Sequence, residues 1–273
     1  MPIIPEKIIN EVQHEIEKDF KDISSNSDSS HFADALGIMI AKMYENIPDS
    51  KRISYGITYV IKTISKMLYD SVNMPYDFAM KLYNESKDFR IKSVGLGILS
   101  YIGIENPDEI LPVFAEAASS DVWEVKEFVQ MFIRKITKKH PGKVQQFLME
   151  MAKSDNPDKR RFASESLRPV AENKWINDSP EFSLAVLRLL FKEKRKYPKV
   201  SVGNNLSDLS RRHPEMIYSI VDELMQMKDK NAAFIAHRAC RNLVKDDPVR
   251  VMDALGVDEY VYKERKYKRQ INE

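Results

Sequence analysis

Cysteine and glycine are the scarce residues of this chain, with one cysteine, Cys240, and 8 glycines among 273 residues. A lone cysteine excludes an internal disulfide framework and any metal site built from several thiolates. It points to a reducing compartment, so the cytoplasm is the expected location. So few glycines leave little material for phosphate-cradling loops or for turn-rich β architecture. No apolar run approaches the length of a membrane-spanning helix, and Met1-Pro2-Ile3-Ile4-Pro5-Glu6 lacks the basic-then-apolar order of an export signal. The chain therefore reads as soluble, with no membrane partner. Its five histidines, His14, His31, His140, His213 and His237, show no ligand spacing among themselves or with Cys240, so neither a metal nor another cofactor is expected.

What is abundant is apolar surface, 43% of the residues, and charge that nearly cancels to a net +2. The charge is unevenly placed. Between residues 134 and 213 there are 19 Lys or Arg against 9 Asp or Glu, so the rest of the chain is net negative. That middle third is a candidate polyanion surface, although solvated helix faces account for the charge alone equally well.

Apolar residues recur at helical spacing: Val144, Phe147, Leu148 and Met151, then Ile217, Ile220, Val221 and Leu224. Similar phrases introduce successive helices: Asn106-Pro107, His140-Pro141, Ser179-Pro180, His213-Pro214 and Asp247-Pro248. Proline is tolerated in a first helical turn because its missing N–H would have no partner there. The phrase returns at a nearly constant interval, and an interval of about 35 residues marks a two-helix unit stacked on its neighbours, since one pair alone cannot bury its apolar face. Second helices are expected after the polar turns Ser119–Asp121, Ser154–Asp158, Lys196–Pro198 and Lys228–Asn231, and an earlier one over Asp88–Ile104.

The expected fold is all-α, an α-α superhelix of HEAT-like repeats in one domain over residues 1–273. Residues 1–75 read as atypical N-terminal helices over about 5–22, 31–46 and 51–72, with Ser24–Ser30 a mobile loop. Regular repeats fill 76–256, and 257–273 is a basic tail whose stretch Lys263–Arg269 reads as disordered.

Aligning the second helices places Glu127, Glu165, Asn204 and His237 at equivalent positions, each about one repeat period from the last. In stacked repeats such positions line up on one face. Trp123, Arg168, Asp208 and Arg241 lie one turn away from them. Glu127, Glu165 and Asp208 would then face a cleft rimmed by Lys159, Arg160, Arg161, Lys199, Arg211 and Arg212. The plainer reading is that Glu165 and Arg168 are a helical i, i+3 pair, that Asn204 and Asp208 cap or bridge repeats, and that Trp123 and Trp175 are core. Acids inside and bases around them favour the cleft, because anionic DNA needs the bases and a cationic leaving group needs the acids.

Two stretches carry a family resemblance. Arg160-Arg161-Phe162-Ala163-Ser164-Glu165-Ser166-Leu167-Arg168-Pro169, followed by Trp175, resembles a motif of the AlkC branch of HEAT-like alkylation-repair DNA glycosylases. Lys199-Val200-Ser201-Val202-Gly203-Asn204-Asn205-Leu206-Ser207-Asp208, continuing to His213-Pro214, is similar to a second motif of that branch. Trp123 four residues before Glu127 resembles the Trp-x-x-x-Asp of the sister AlkD branch, with Glu in place of Asp. Ser166 stands where the family has Gly, the spacing from Arg168-Pro169 to Trp175 is longer, and the aromatic of AlkD proteins at the Asn204 position is missing. The similarity covers roughly residues 120–256.

The resemblance implies that Glu127, Glu165 and Asp208 are active-site acids, that Trp123, Trp175 and Asn204 contact the lesion or its sugar, and that Arg168 and the Lys/Arg rim hold phosphates. The implied activity is hydrolysis of the N-glycosidic bond of alkylated purines, on double-stranded DNA containing alkylated bases as the partner of a monomer. Two alternatives stand beside it. One is a non-catalytic relative binding damaged or branched DNA, and the other is a HEAT-repeat protein-interaction scaffold.

Overall fold

The computed structural model describes residues 3–20, 29–52 and 56–269. Most of Ser24–Ser30, read as a loop, lies outside the described residues, although Ser29 and Ser30 open a helix. The chain forms two compact units, Met1–Pro141 and Gly142–Glu273.

The first unit contains α1 (Glu6–Asp19), α2 (Ser29–Glu45), the single turn α3 (Asp49–Arg52), α4 (Gly56–Ser71), α5 (Pro75–Glu85), α6 (Phe89–Glu105), α7 (Pro107–Ala117) and α8 (Trp123–Lys139). Its central element is α6, which packs against α4, α5 and α8. Asp88 caps α6 by accepting from the Arg90 backbone N–H at 2.8 Å. Most of α6 is buried, and Gly97 lets α4 come close: a Cβ there would lie 2.6 Å from the Ser65 Cβ. Helix α5 was not marked by the repeat phrase, yet it too begins on a proline.

The second unit contains α9 (Pro141–Lys153), α10 (Pro157–Ser166), a 3-10 segment (Ala171–Asn177), α11 (Pro180–Leu187), α12 (Lys196–Leu209), α13 (Pro214–Gln226), α14 (Lys230–Ala239) and α15 (Pro248–Leu255). Every proline of the repeated phrase opens a helix, as the spacing predicts. Caps fall where the polar turns were read. Asn156 accepts from Asp158 N, and Asp229 from the N–H groups of Asn231 and Ala232. The second helices pack side by side, α10 on α12 and α12 on α14, while α11, α13 and α15 cover them.

The histidine of the repeated phrase has a fixed task within each unit. His140 Nε2–H donates to the Ile104 carbonyl at 2.7 Å, and His213 Nε2–H donates to the Asn177 carbonyl at 2.6 Å. Each joins the start of one helix to a carbonyl 36 residues upstream.

The C-terminal segment corrects the expectation of disorder. Residues Glu259–Tyr262 (β1) and Arg265–Lys268 (β2) pair as an antiparallel hairpin, with Tyr260 opposite Tyr267. Tyr260 is fully buried. Its ring stacks on His237 at 4.3 Å between centroids, and its hydroxyl donates to the His237 carbonyl at 2.8 Å. One buried aromatic thus anchors a segment whose composition is dominated by charge. Among the described residues no helix is long and apolar enough to cross a membrane. The protein is an all-α helical-repeat fold, and among the described residues this short hairpin is its only sheet.

Candidate functional site

The second helices of the Gly142–Glu273 unit carry a continuous polar network. At one end Glu165, only 7% exposed, accepts from the Ser201 hydroxyl at 2.5 Å. Arg168 sits one turn on, with Nη1 3.6 Å from Glu165 Oε2 and both Nε and Nη2 donating to Asp208 Oδ2, at 3.0 and 2.5 Å. From the other side Arg241 Nη2 donates to Asp208 Oδ1 at 2.9 Å. Arg241 Nη1 and Arg238 Nε both donate to Asn204 Oδ1 at 2.8 Å, and Arg241 Nε donates to the Ser207 hydroxyl at 2.9 Å. Two guanidiniums, Arg168 just after α10 and Arg241 just after α14, thus hold Asp208 between them, Arg168 also reaches Glu165, and Arg238 joins through Asn204. Burial works against charge on Arg168, but Asp208 and Glu165 together hold its pKa above the ordinary guanidinium value.

Close helix packing makes these contacts possible. A Cβ on Gly203 would lie 2.8 Å from the Arg238 Cβ, so glycine there lets the Arg238 stem cross α12 at that point. Asn205, fully buried one residue beyond Asn204, ties α12 to α10 by donating to the Ser164 carbonyl at 2.9 Å. A cavity of about 490 Å³ opens beside the network, and Arg168, Asp208, Lys174, Arg211 and Arg212 are among its walls. Arg211 and Arg212, read as part of a cationic rim, are exposed there.

Other expected site residues lie elsewhere. His237 is not in the network, because it is stacked beneath Tyr260, where burial and the neighbouring Arg238 push its pKa down. Arg160, expected on the rim, is bound to Glu193 through Nε and Nη2 and to the carbonyls of Ser154 and Asp155 through Nη1. That geometry staples α10 to the segment before α12 and leaves little of Arg160 for a ligand. Arg161 is only 8% exposed and so is packed rather than displayed. Lys159 is half-buried, and Lys199 donates to Asn231 Oδ1 at 3.0 Å while lying over the Phe234 ring. Trp175 packs edge-on against Phe182, and its indole nitrogen is buried without a hydrogen-bond partner. Its neighbours Lys174 and Asn177 line the cavity, and Trp175 does not.

In the Met1–Pro141 unit, Trp123 is 45% exposed at the start of α8, so it is not core. Glu127, one turn further, accepts from Gln130 Nε2 at 2.7 Å.

Sequence reasoning placed Arg241 one turn from the column without giving it a role, and it missed Arg238, Ser201 and Ser207. The 33- to 37-residue separations joining Arg241 to Asp208 and Asn204 repeat the helix-pair period, and that was the available signal. Among the described residues no group of three His, Cys, Asp or Glu is placed to hold a metal ion.

The sequence model of the family described as DNA alkylation repair enzyme matches residues 39–243. An uncharacterized protein of Bacillus subtilis, YhaZ, is 21% identical over 268 residues, which cover 94% of this chain and 68% of YhaZ. Among solved structures, the alkylpurine DNA glycosylase AlkC of Pseudomonas fluorescens, bound to DNA containing an abasic site analog, superposes with a TM-score of 0.61 at 18% identity. The match covers 95% of this chain and 70% of AlkC. AlkD2 of Streptococcus mutans superposes with a TM-score of 0.50 at 20% identity, over 85% of this chain and 98% of that one.

Proposed function

Because the chain belongs to the DNA alkylation repair enzyme family, we propose that it is a DNA glycosylase. Its substrates are cationic alkylated purines of the 3-methyladenine and 7-methylguanine type, in double-stranded DNA. The observation that carries this reading is the Glu165–Arg168–Asp208–Arg241 network beside an open cavity whose walls carry four cations and one acid.

Alkylation at N3 or N7 gives the base a positive charge, so it departs as a neutral purine and needs little help. The sugar carries the cost, because the deoxyribose develops oxocarbenium character as the bond breaks. A preorganised carboxylate in a partly dry site stabilises that charge better than water does. Glu165, buried and oriented by Ser201, suits this role. Asp208 suits the orientation or deprotonation of the attacking water.

Both acids are paired with arginines. The duplex supplies what redistributes those charges. Arg168 is the more exposed of the two Asp208 partners, 30% against 18% for Arg241, and Arg241 is also fixed by Asn204 and Ser207. A phosphate that draws Arg168 away from Asp208 would leave the carboxylate able to engage water, while Arg241 keeps it in place. Lys174, Arg211 and Arg212 supply further phosphate contacts at the cavity, and Arg160 and Arg161 act as packing residues. Trp123 and Glu127 enter this reading through the family resemblance alone.

The test is release of methylated purines from alkylated duplex DNA by the wild type, Glu165→Gln and Asp208→Asn. Loss of excision in both variants supports the assignment, and full activity in both overturns it. The prior pairing of both acids also favours a second reading, a DNA-binding relative without catalysis. Tight binding of a lesion-bearing duplex with no base release by the wild type would select it.

A further inference from the structure

The hairpin does more than cover His237. Between it and the chain around the end of α14 lies a cavity of about 500 Å³, whose walls include Arg211, Arg241, Lys245, Lys263 and Arg265 against one acid, Glu264. Arg241 is a fixed wall here, since its three guanidine nitrogens are committed to Ser207, Asn204 and Asp208. The remaining cations are more available. The side chains of Arg211 and Arg265 make no hydrogen bond or ion pair among the described residues, and the exposed Lys245 ammonium donates to Asn242. Lys263 occupies the hairpin turn at φ 55°, a left-handed backbone that disfavours residues other than glycine and asparagine. The turn thus sets an ammonium on the cavity wall at a backbone position better suited to glycine. Tyr262 reports the local field. Burial pushes its phenol up, but the neighbouring Arg241 guanidinium and the charges of Arg238 and Lys263 bring its pKa below the ordinary value.

Five cations around one carboxylate call for an anion, and forked guanidiniums beside ammoniums match the oxygens of a phosphate. We propose that this cavity binds an internal phosphodiester of the DNA strand adjacent to the Asp208 site, making the C-terminal hairpin a backbone clamp. The proposal rests on the DNA reading above. Continuity favours DNA as the source of the phosphate, because Arg211 lines both this cavity and the one beside Asp208, and Arg241 bridges Asp208 to the hairpin side.

The experiment measures binding of a blunt duplex carrying an abasic-site analogue, prepared with and without 5′-phosphates, by fluorescence anisotropy over a series of salt concentrations. It compares the wild type with Lys263→Gln/Arg265→Gln on the hairpin and with Lys245→Gln on the opposite wall. None of these residues bonds to Asp208 or Glu165. The double variant should weaken binding about tenfold or more near 0.1 M salt, and its log–log salt slope should flatten by about 1 to 2. Lys245→Gln should flatten the slope by up to about 1, and it does so without disturbing the hairpin. The rate of base release at saturating enzyme should stay at the wild-type value in all of them. Unchanged affinity and slope in both variants, with the wild type binding normally, overturn the clamp and leave the glycosylase reading intact. A loss confined to duplexes bearing a 5′-phosphate overturns the internal phosphodiester in favour of a terminal phosphate. A wild type that binds no duplex overturns the DNA reading itself.

Discussion

Replacing Asp208 by asparagine changes one charge and almost no volume, and the network fixes what should follow. Asp208 receives two hydrogen bonds from Arg168 on one oxygen and one from Arg241 on the other. Asparagine keeps a single carbonyl oxygen, so one guanidinium then faces an amide NH2 group. Hydrogen bonds to charged groups contribute about 1.5–3 kcal/mol and neutral ones about 1 kcal/mol. The Asp208 side chain is only 13% exposed, which limits screening by water, while Arg168 at 30% can partly rehydrate. The expected loss of stability is therefore about 2–3 kcal/mol, or about 4–5 °C in Tm for a chain of this size. DNA binding should move the other way. With three guanidiniums left against one carboxylate, undamaged duplex should bind more tightly, and each added phosphate contact steepens the log–log salt slope by about 0.9. Excision of methylated purines should fall by about 10²- to 10³-fold. Thermal melting, salt-dependent anisotropy and base release measured on one preparation give all three signs. A variant that melts at the wild-type temperature, binds undamaged duplex no better and excises at full rate would refute the reasoning.

Gly203→Ala inserts a methyl 2.8 Å from the Arg238 Cβ and should force α12 and α14 apart, costing about 1–3 kcal/mol, read as a lower urea midpoint at unchanged m. His213→Ala removes the donor to the Asn177 carbonyl and should cost about 1–2 kcal/mol; equal stability would show that water replaces the imidazole there. Burial, with Arg238 alongside, holds His237 below its ordinary 6.5, so the unfolded chain takes up that proton first as pH falls. This contribution to stability should be intact above about pH 6.5 and fade below it. His237→Phe, which can still stack on Tyr260, should flatten the change in Tm between about pH 7.5 and 5.5, and an unaltered profile would remove His237 as its source.

Local signals in the chain are enough to specify the helical repeat. Proline at the first turn, a capping Asn or Asp, and apolar residues at helical spacing act within one turn or one helix, so they survive in the linear order and fix where α7, α10, α13 and α15 begin. The helix-pair period also gathers Glu165, Asn204 and Asp208 into one column within the second unit, because residues one period apart become neighbours when helices pack side by side. How that column is wired depends on packing and is not written in the local sequence. Three arginines converge on it from two elements, Arg160 is taken by Glu193, and Trp175 is turned to Phe182. A charged side chain reaches several Å in any of several rotamers, so its partner follows from which helix lies beside it and not from its own surroundings in sequence. The hairpin was hidden for the same reason. Lys263 to Arg269 is charged throughout apart from Tyr267, and what orders the segment is one tyrosine, Tyr260, finding a histidine on a different element, His237 of α14.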